Sequence, residues 1–359
     1  MMSDDTTVWF VPMVPQGNPY QPSLAAELRK FGCTVGDENA NLRTILWRVL
    51  SKRPSKPIVH LHWIPNFASR KFGWVKAISY VCQLWLLRRM RVPIVWTVHN
   101  LYHHESQGIR LQHWTGRRIF RLSSRVIAHS ESAKRSIADE FSNGATERIV
   151  TIPHGTYVGL YSDQITRSAA RSQLGLAEDV VAFLFFGQIR PYKGVEGLIE
   201  SFRSLSGERI RLLVAGRPLD DQIAARIRQS AEGDPRISLY PRFIPDEEIQ
   251  VYMNAADWVV FPYIEILTSG AVVLAMSFGC ACIAPRIAGM PELLGEDGGI
   301  LYPPDRPDGL LNALAQAKNL SQAVCDMGNR NRRAAARLGW ERIAAETKAV
   351  YDAARNERM

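Results

Sequence analysis

The chain has 359 residues, 46% hydrophobic and 22% charged, which excludes a disordered tract or a fibre and is more length than one α/β core takes up. The net charge of +9 is uneven: residues 1–150 carry 21 Lys and Arg against 10 Asp and Glu, and residues 151–359 carry 23 against 25. A basic first half suits an anionic partner, and with no nucleic-acid-binding motif in the sequence, anionic lipid or an anionic sugar substrate is expected instead. No stretch reaches the roughly 20 apolar residues of a membrane span. The acidic start running into a strand does not read as a signal peptide. The five cysteines show no metal-ligand spacing and suit a reducing, cytoplasmic setting.

In chain order, TVWFVPMVP reads as a first strand, followed by a loop with Gly17 and a helix that stops at a glycine. NLRTILWRVLSKRPSK is a basic amphipathic helix, and IVHLHWIP a second strand. Its alternation puts His60 and His62 on one face. A long helix follows, in which Lys71, Trp74, Lys76, Tyr80, Trp85, Arg88, Arg89 and Arg91 mix rings and cations. Either the rings are core and the charges solvated, or this face lies on an anionic bilayer. IVWTVHN ends a strand at His99 and Asn100, RVIAHS ends one at His129, and IVTIPHG brings His154 to the same level. Histidines at the carboxyl ends of parallel strands are placed to meet a ligand.

After Tyr161 the alternation restarts. VVAFLFFGQIRPYKG is a buried strand ending at Gly187, with Arg190 and Lys193 in the following loop. An arginine fork and a lysine point charge beside a glycine turn suit a diphosphate. LLVAGRP supplies a strand and the turn Gly216–Arg217. From Asp257 to Pro291 the pattern is a short buried strand, a loop carrying Glu265, a helix capped by Thr268 or Ser269, then a strand and a second glycine turn before Glu292. The helix start at Ser269, Gly270 and Ala271 presents unpaired N–H groups suited to phosphate.

Taken in that order and spacing, FFGQIRPYKGVEGLIESF, LLVAGRP, FIPDEEIQVYMNAADWVVFPY and SGAVVLAMSFGCACIAP resemble the two-Rossmann-domain (GT-B) glycosyltransferases, more narrowly the bacterial group 1, family 4-like enzymes of exopolysaccharide or glycolipid assembly. The resemblance implies an α/β fold of two Rossmann-like domains facing each other across a cleft: an acceptor domain at 1–162, a nucleotide-sugar domain at 163–335, and a C-terminal helix at 336–359 crossing back. It implies a hexosyltransferase taking a UDP- or GDP-linked sugar to a lipid-linked or saccharide acceptor, with no separate cofactor. No DxD motif calls for a metal. By resemblance, Arg190 and Lys193 hold the donor diphosphate, with Gly187, Gly216, Arg217, Ser269, Gly270 and Ala271 around it. Glu265 stands for the first carboxylate of the family's acidic pair, and His99 for its strand-end histidine. Gly17, His60, His62, Asn100, His129 and His154 are the acceptor-side candidates. Where the family carries its second carboxylate, this chain has Val273, Leu274 and Ala275, with Glu292 a conceivable substitute. Retention is the implied course, with inversion, an epimerase or a noncatalytic sugar-nucleotide binder as the alternatives. A peripheral position on the cytoplasmic face of the inner membrane is the expected location.

Overall fold

The computed structural model describes residues 6–13, 18–36, 41–52, 57–103 and 108–357; Gly17 lies outside them. The chain divides into two compact units, one of Met1–Gly155 with Gly339–Met359, the other of Thr156–Leu338. The sequence reading placed these divisions at 162 and 335. The second unit closes on itself at its two ends, where Thr156 N–H donates to the Leu338 carbonyl at 2.9 Å.

In the first unit, strands β1 (Thr6–Val11), β2 (Cys33–Val35), β3 (Ile58–Leu61), β4 (Ile94–Thr97), β5 (Arg125–Ala128) and β6 (Ile149–Thr151) form one parallel sheet in the order 2-1-3-4-5-6. In the second, β7 (Val181–Phe186), β8 (Ile210–Ala215), β9 (Ile237–Tyr240), β10 (Trp258–Val260), β11 (Ala281–Pro285) and β12 (Gly299–Tyr302) form another, ordered 12-11-10-7-8-9. Crossover connections through helices join most consecutive strands. Most strand residues are buried, which is why these strands read as apolar runs instead of alternating ones. The strand order reverses between β1 and β3 in one unit and between β7 and β10 in the other. At such a point neighbouring connections leave in opposite directions and open a crevice at the carboxyl ends.

The basic tail, read as one helix or two, is two. Ser321–Ala336 belongs to the second unit, where Asn331 Nδ2 donates to the carbonyls of Cys280 and Gly298 at 2.7 Å each. Trp340–Asn356 belongs to the first, packing Ile343, Val350 and Tyr351 with Leu24 and Leu28 of the helix Tyr20–Lys30. Each such apolar side chain taken from water contributes roughly 2 kcal/mol.

Candidate functional site

The donor-side candidates assemble around the β7/β10 reversal. Gly187 follows β7 directly, and its φ of +124° lets the chain turn out of the sheet. A Cβ on Gly216, after β8, would lie 1.8 Å from the Gly187 carbonyl oxygen, so only glycine permits these two strand ends to touch. Ile189 N–H donates to the Arg217 carbonyl at 2.9 Å, which ties the turn after β8 to the loop that carries Arg190 and Lys193. That loop folds as a 3-10 turn, Pro191–Lys193, closed by Gly194 at φ +67°.

The loop also meets the segment after β10. Ile264 N–H donates to the Tyr192 carbonyl at 2.9 Å, and a Cβ on Gly194 would stand 2.0 Å from the Pro262 carbonyl oxygen. Lys193 Nζ lies 5.7 Å from the Tyr263 ring centroid, and the Tyr263 hydroxyl is 3.4 Å from Ser269 Oγ. Ser269, not Thr268, caps the helix Gly270–Ser277, its Oγ accepting from Val272 N–H. Lys193, Tyr263 and the helix start therefore form one continuous wall. Burial and the Arg190 charge bring the Lys193 ammonium down to about 8. Arg190 Nε donates to Gln188 Oε1 at 3.0 Å, which holds the guanidinium beside it. Two cations and a helix N-terminus at one strand-end crevice are suited to a diphosphate.

Glu265 is exposed on the loop after β10. Val273 is wholly buried in the following helix, so the place of the missing carboxylate is packed into the core of this unit. Glu292 is exposed in the first turn of the short helix Met290–Leu294.

In the first unit, His60, His62, His99, His129 and His154 gather at the ends of β3 to β6, all nearly or wholly buried. Tyr20 is at their centre, its ring 5.0–5.8 Å from those of His62, His99, His129, His154 and Trp340. His60 is locked from both sides, Nδ1 at 2.7 Å from the Tyr351 hydroxyl and Nε2 at 2.8 Å from Thr97 Oγ1. His129 Nδ1–H donates to the Ile152 carbonyl and His154 Nδ1–H to that of Gly155, which leaves Nε2 of each as an acceptor. His62 Nδ1 and His99 Nε2 are 3.3 Å apart, and Trp63 stacks on His99 with centroids 4.4 Å apart. His62 Nε2 and His129 Nε2 are buried with no hydrogen-bond partner among the described residues.

Burial is the main cause that holds all five neutral, with charge repulsion among the rings adding to it for four of them. His60 and His154 are lowered to about 3, His129 to about 4, and His62 and His99 well below their usual value. A pocket lined by His62, Trp63, Asn100, Tyr102 and His103 lies beside the cluster. Neutral imidazoles and an amide, backed by aromatic rings, suit hydroxyl groups better than a charged ligand. His60, with both ring nitrogens already hydrogen-bonded, has neither left for a ligand. Among the described residues no group of three or more His, Cys, Asp or Glu is placed to hold a metal ion.

Tyr20, Trp63 and Tyr263 organise these two surfaces and were not singled out from the sequence. Each stands next to, or within a few residues of, a residue that was: Trp63 follows His62, and Tyr263 precedes Glu265 by two.

The model of glycosyltransferase family 4 matches residues 24–158, and that of glycosyl transferases group 1 matches residues 181–319. The GDP-mannose:glycolipid 4-beta-D-mannosyltransferase of Xanthomonas campestris pv. campestris is 28% identical over 267 residues, 72% of this chain and 70% of that protein. The D-inositol 3-phosphate glycosyltransferase of Kineococcus radiotolerans is 23% identical over 330 residues, 84% of this chain and 72% of the relative. Sucrose-phosphate synthase from Thermosynechococcus elongatus superposes with a TM-score of 0.75 at 19% identity, covering 97% of this chain and 98% of that one. Anabaena HepE, solved in complex with UDP and glucose, gives 0.72 at 18%, covering 97% and 99%. With one family match in each unit and the same fold along nearly the full length, the chain is a GT-B-fold glycosyltransferase related to the group 1 and family 4 glycosyltransferases.

Proposed function

We propose that the protein transfers a hexosyl group, with GDP-mannose the first donor to test, to a hydroxyl of a lipid-linked saccharide. The observation that carries the reading is the wall made by Arg190, Lys193, Tyr263 and the Ser269-capped helix start at the β7/β10 reversal. Departure of a nucleoside diphosphate concentrates negative charge on the leaving oxygen. Fixed cations and N–H groups stabilise that charge more in the transition state than in the ground state. The histidine surface of the first unit takes the acceptor hydroxyls, with His62 and Asn100 lining the neighbouring pocket and His99 set against His62.

For the stereochemical course we propose inversion, departing from the retention that the resemblance implies. The Xanthomonas relative is by name a β-mannosyltransferase using GDP-mannose, and forming a β-mannoside from the α-linked donor inverts the anomeric carbon. Inversion needs a base for the acceptor hydroxyl, and neutral His99 is the group we assign to that role.

The test is to incubate the protein with GDP-, UDP- and dTDP-sugars and a membrane lipid extract, following nucleoside diphosphate release and the anomeric configuration of the product. Turnover with a β-linked product supports the proposal. An α-linked product overturns the inversion. Nucleotide-sugar binding without release of diphosphate supports instead a noncatalytic binder, the reading favoured by Val273 at the second carboxylate's place.

A further inference from the structure

The helix Gly73–Arg89 is apolar on two opposite sides. Ala77, Leu84 and Leu87 are fully buried against the first unit, as one stripe of a surface helix should be. At about 100° per residue, Trp74, Trp85, Ile78, Val75 and Leu86 fall on a single arc roughly 120° wide on the other side, with Cys82 and Arg89 among them. All seven are exposed, Val75 at 65% and Trp85 at 52%. The neighbouring helix Leu42–Lys52 adds Trp47 and Leu50, and Phe72 precedes the arc. Eight of the fifteen exposed large hydrophobic side chains among the described residues thus lie between Leu42 and Arg89. That density marks an interaction surface, where scattered single residues would not.

The same segment is uniformly basic. Between Glu38 and Glu105 there are eleven Lys and Arg and no Asp or Glu, more positive charge than the +9 of the whole chain. Arg43, Arg70 and Lys76 are exposed and line, with Val75 and Tyr80, a groove between the two helices. The Tyr80 hydroxyl there is buried with no hydrogen-bond partner among the described residues. Arg88 is not part of this face, since its guanidinium turns inward to Ser124 and Glu357.

The charge pattern selects the occupant. A second copy would set this basic face against itself in a symmetric pair, and like charges repel. A nucleic acid would use the cations and leave the tryptophan and isoleucine arc in water. A bilayer interface takes both, with rings and aliphatic side chains at the headgroup boundary and cations among lipid phosphates. We propose that the outer face of Gly73–Arg89, with Trp47, Leu50, Phe72 and the surrounding Arg43, Arg70, Lys71, Lys76 and Arg89, docks the first unit on a membrane bearing anionic lipid. The face belongs to the first unit and the donor wall to the second, and its test needs no donor, so its failure and that of the transfer reading are told apart.

The full chain is sedimented with vesicles of phosphatidylcholine, with and without phosphatidylglycerol, while its tryptophan emission is followed. The wild type pellets with the phosphatidylglycerol vesicles and its emission shifts to the blue. Two variants weaken this by roughly tenfold or more: Trp74→Ser with Ile78→Ser and Trp85→Ser, and Arg70→Gln with Lys71→Gln and Lys76→Gln. Their circular dichroism and nucleoside diphosphate affinity stay as in the wild type, because the altered side chains are exposed and outside the donor wall. Four results overturn the proposal: no pelleting with phosphatidylglycerol, equal pelleting with neutral vesicles, undiminished binding by both variants, or self-association that the tryptophan variant abolishes.

Discussion

Lys193 is the residue whose setting makes the sharpest demand on experiment. With its ammonium brought down to about 8, the free protein carries that charge at neutral pH and loses it as pH rises through 8. Nucleoside diphosphate affinity, measured by calorimetry, should fall between pH 7 and 9, with proton uptake on binding at the upper end because the bound anion restores the charge. Arg190→Ala removes the neighbouring cation that helps depress Lys193, so it should weaken binding and move the fall to higher pH. If Lys193→Ala shows the same pH dependence as the wild type, Lys193 is not the titrating group. Loss of either cation should lower kcat/KM by roughly 100-fold, as for removal of one charged contact to a developing anion.

At the scale of elements, two junctions position the donor wall. Arg171, wholly buried in the helix Arg167–Gln173, donates to the carbonyls of Ala177, Glu178, Val180 and Ala255, and to Asp257 Oδ2 at 2.7 Å. Asp257 Oδ2 also accepts from Ala182 N–H at 2.7 Å, so one ion pair pins this helix to the starts of β7 and β10. Arg171→Met should lower stability by about 3 kcal/mol, since it strands buried carbonyls and leaves Asp257 only Arg167 as an ion-pair partner. The urea midpoint should drop with its slope unchanged. The other junction is Gly194, where a side chain collides with the Pro262 carbonyl and left-handed backbone is required. Gly194→Ala should cost about 1 kcal/mol or more of stability. It should also weaken nucleotide binding by separating Lys193 from Tyr263, a loss that thermal melts with and without nucleotide would reveal.

On the scale of the molecule, the two units answer acid differently. All eight histidines lie between His60 and His154, in the first unit. His60, His62, His99, His129 and His154 have native values below those of the unfolded chain, so the stability that their neutral forms preserve is complete above about pH 6.5. It is lost as pH falls towards 4 and 3, at up to about 1.4 kcal/mol per pH unit for each ring. Eight of the nine tryptophans also lie in this unit, Trp258 alone in the other. Acid titration should therefore change tryptophan emission at higher pH than it changes the far-ultraviolet circular dichroism of the whole chain. Coincident transitions would mean that the units unfold together.

Much of this was legible in the sequence because its causes are local. Apolar runs of strand length, glycines at their ends and helical periods between them follow from backbone geometry within a few residues, and they place Arg190, Lys193 and Ser269 at strand ends before any contact is known. The side-chain environments were not legible, because they are made by residues far apart along the chain. His60 shares its face with His62 by alternation, yet it is withdrawn from ligand chemistry by Tyr351, 291 residues away. Tyr20 holds four histidines from separate strands, and Tyr263 joins a cation to a helix start. Whether the rings of Gly73–Arg89 pack inward or outward depended on which arc the rest of the first unit covers; it covers Ala77, Leu84 and Leu87, and leaves Trp74 and Trp85 outside. Sequence periodicity by itself determined which elements form and in what order. Only the tertiary structure decided which side chains are neutral, locked or exposed, since desolvation and long-range packing set those states.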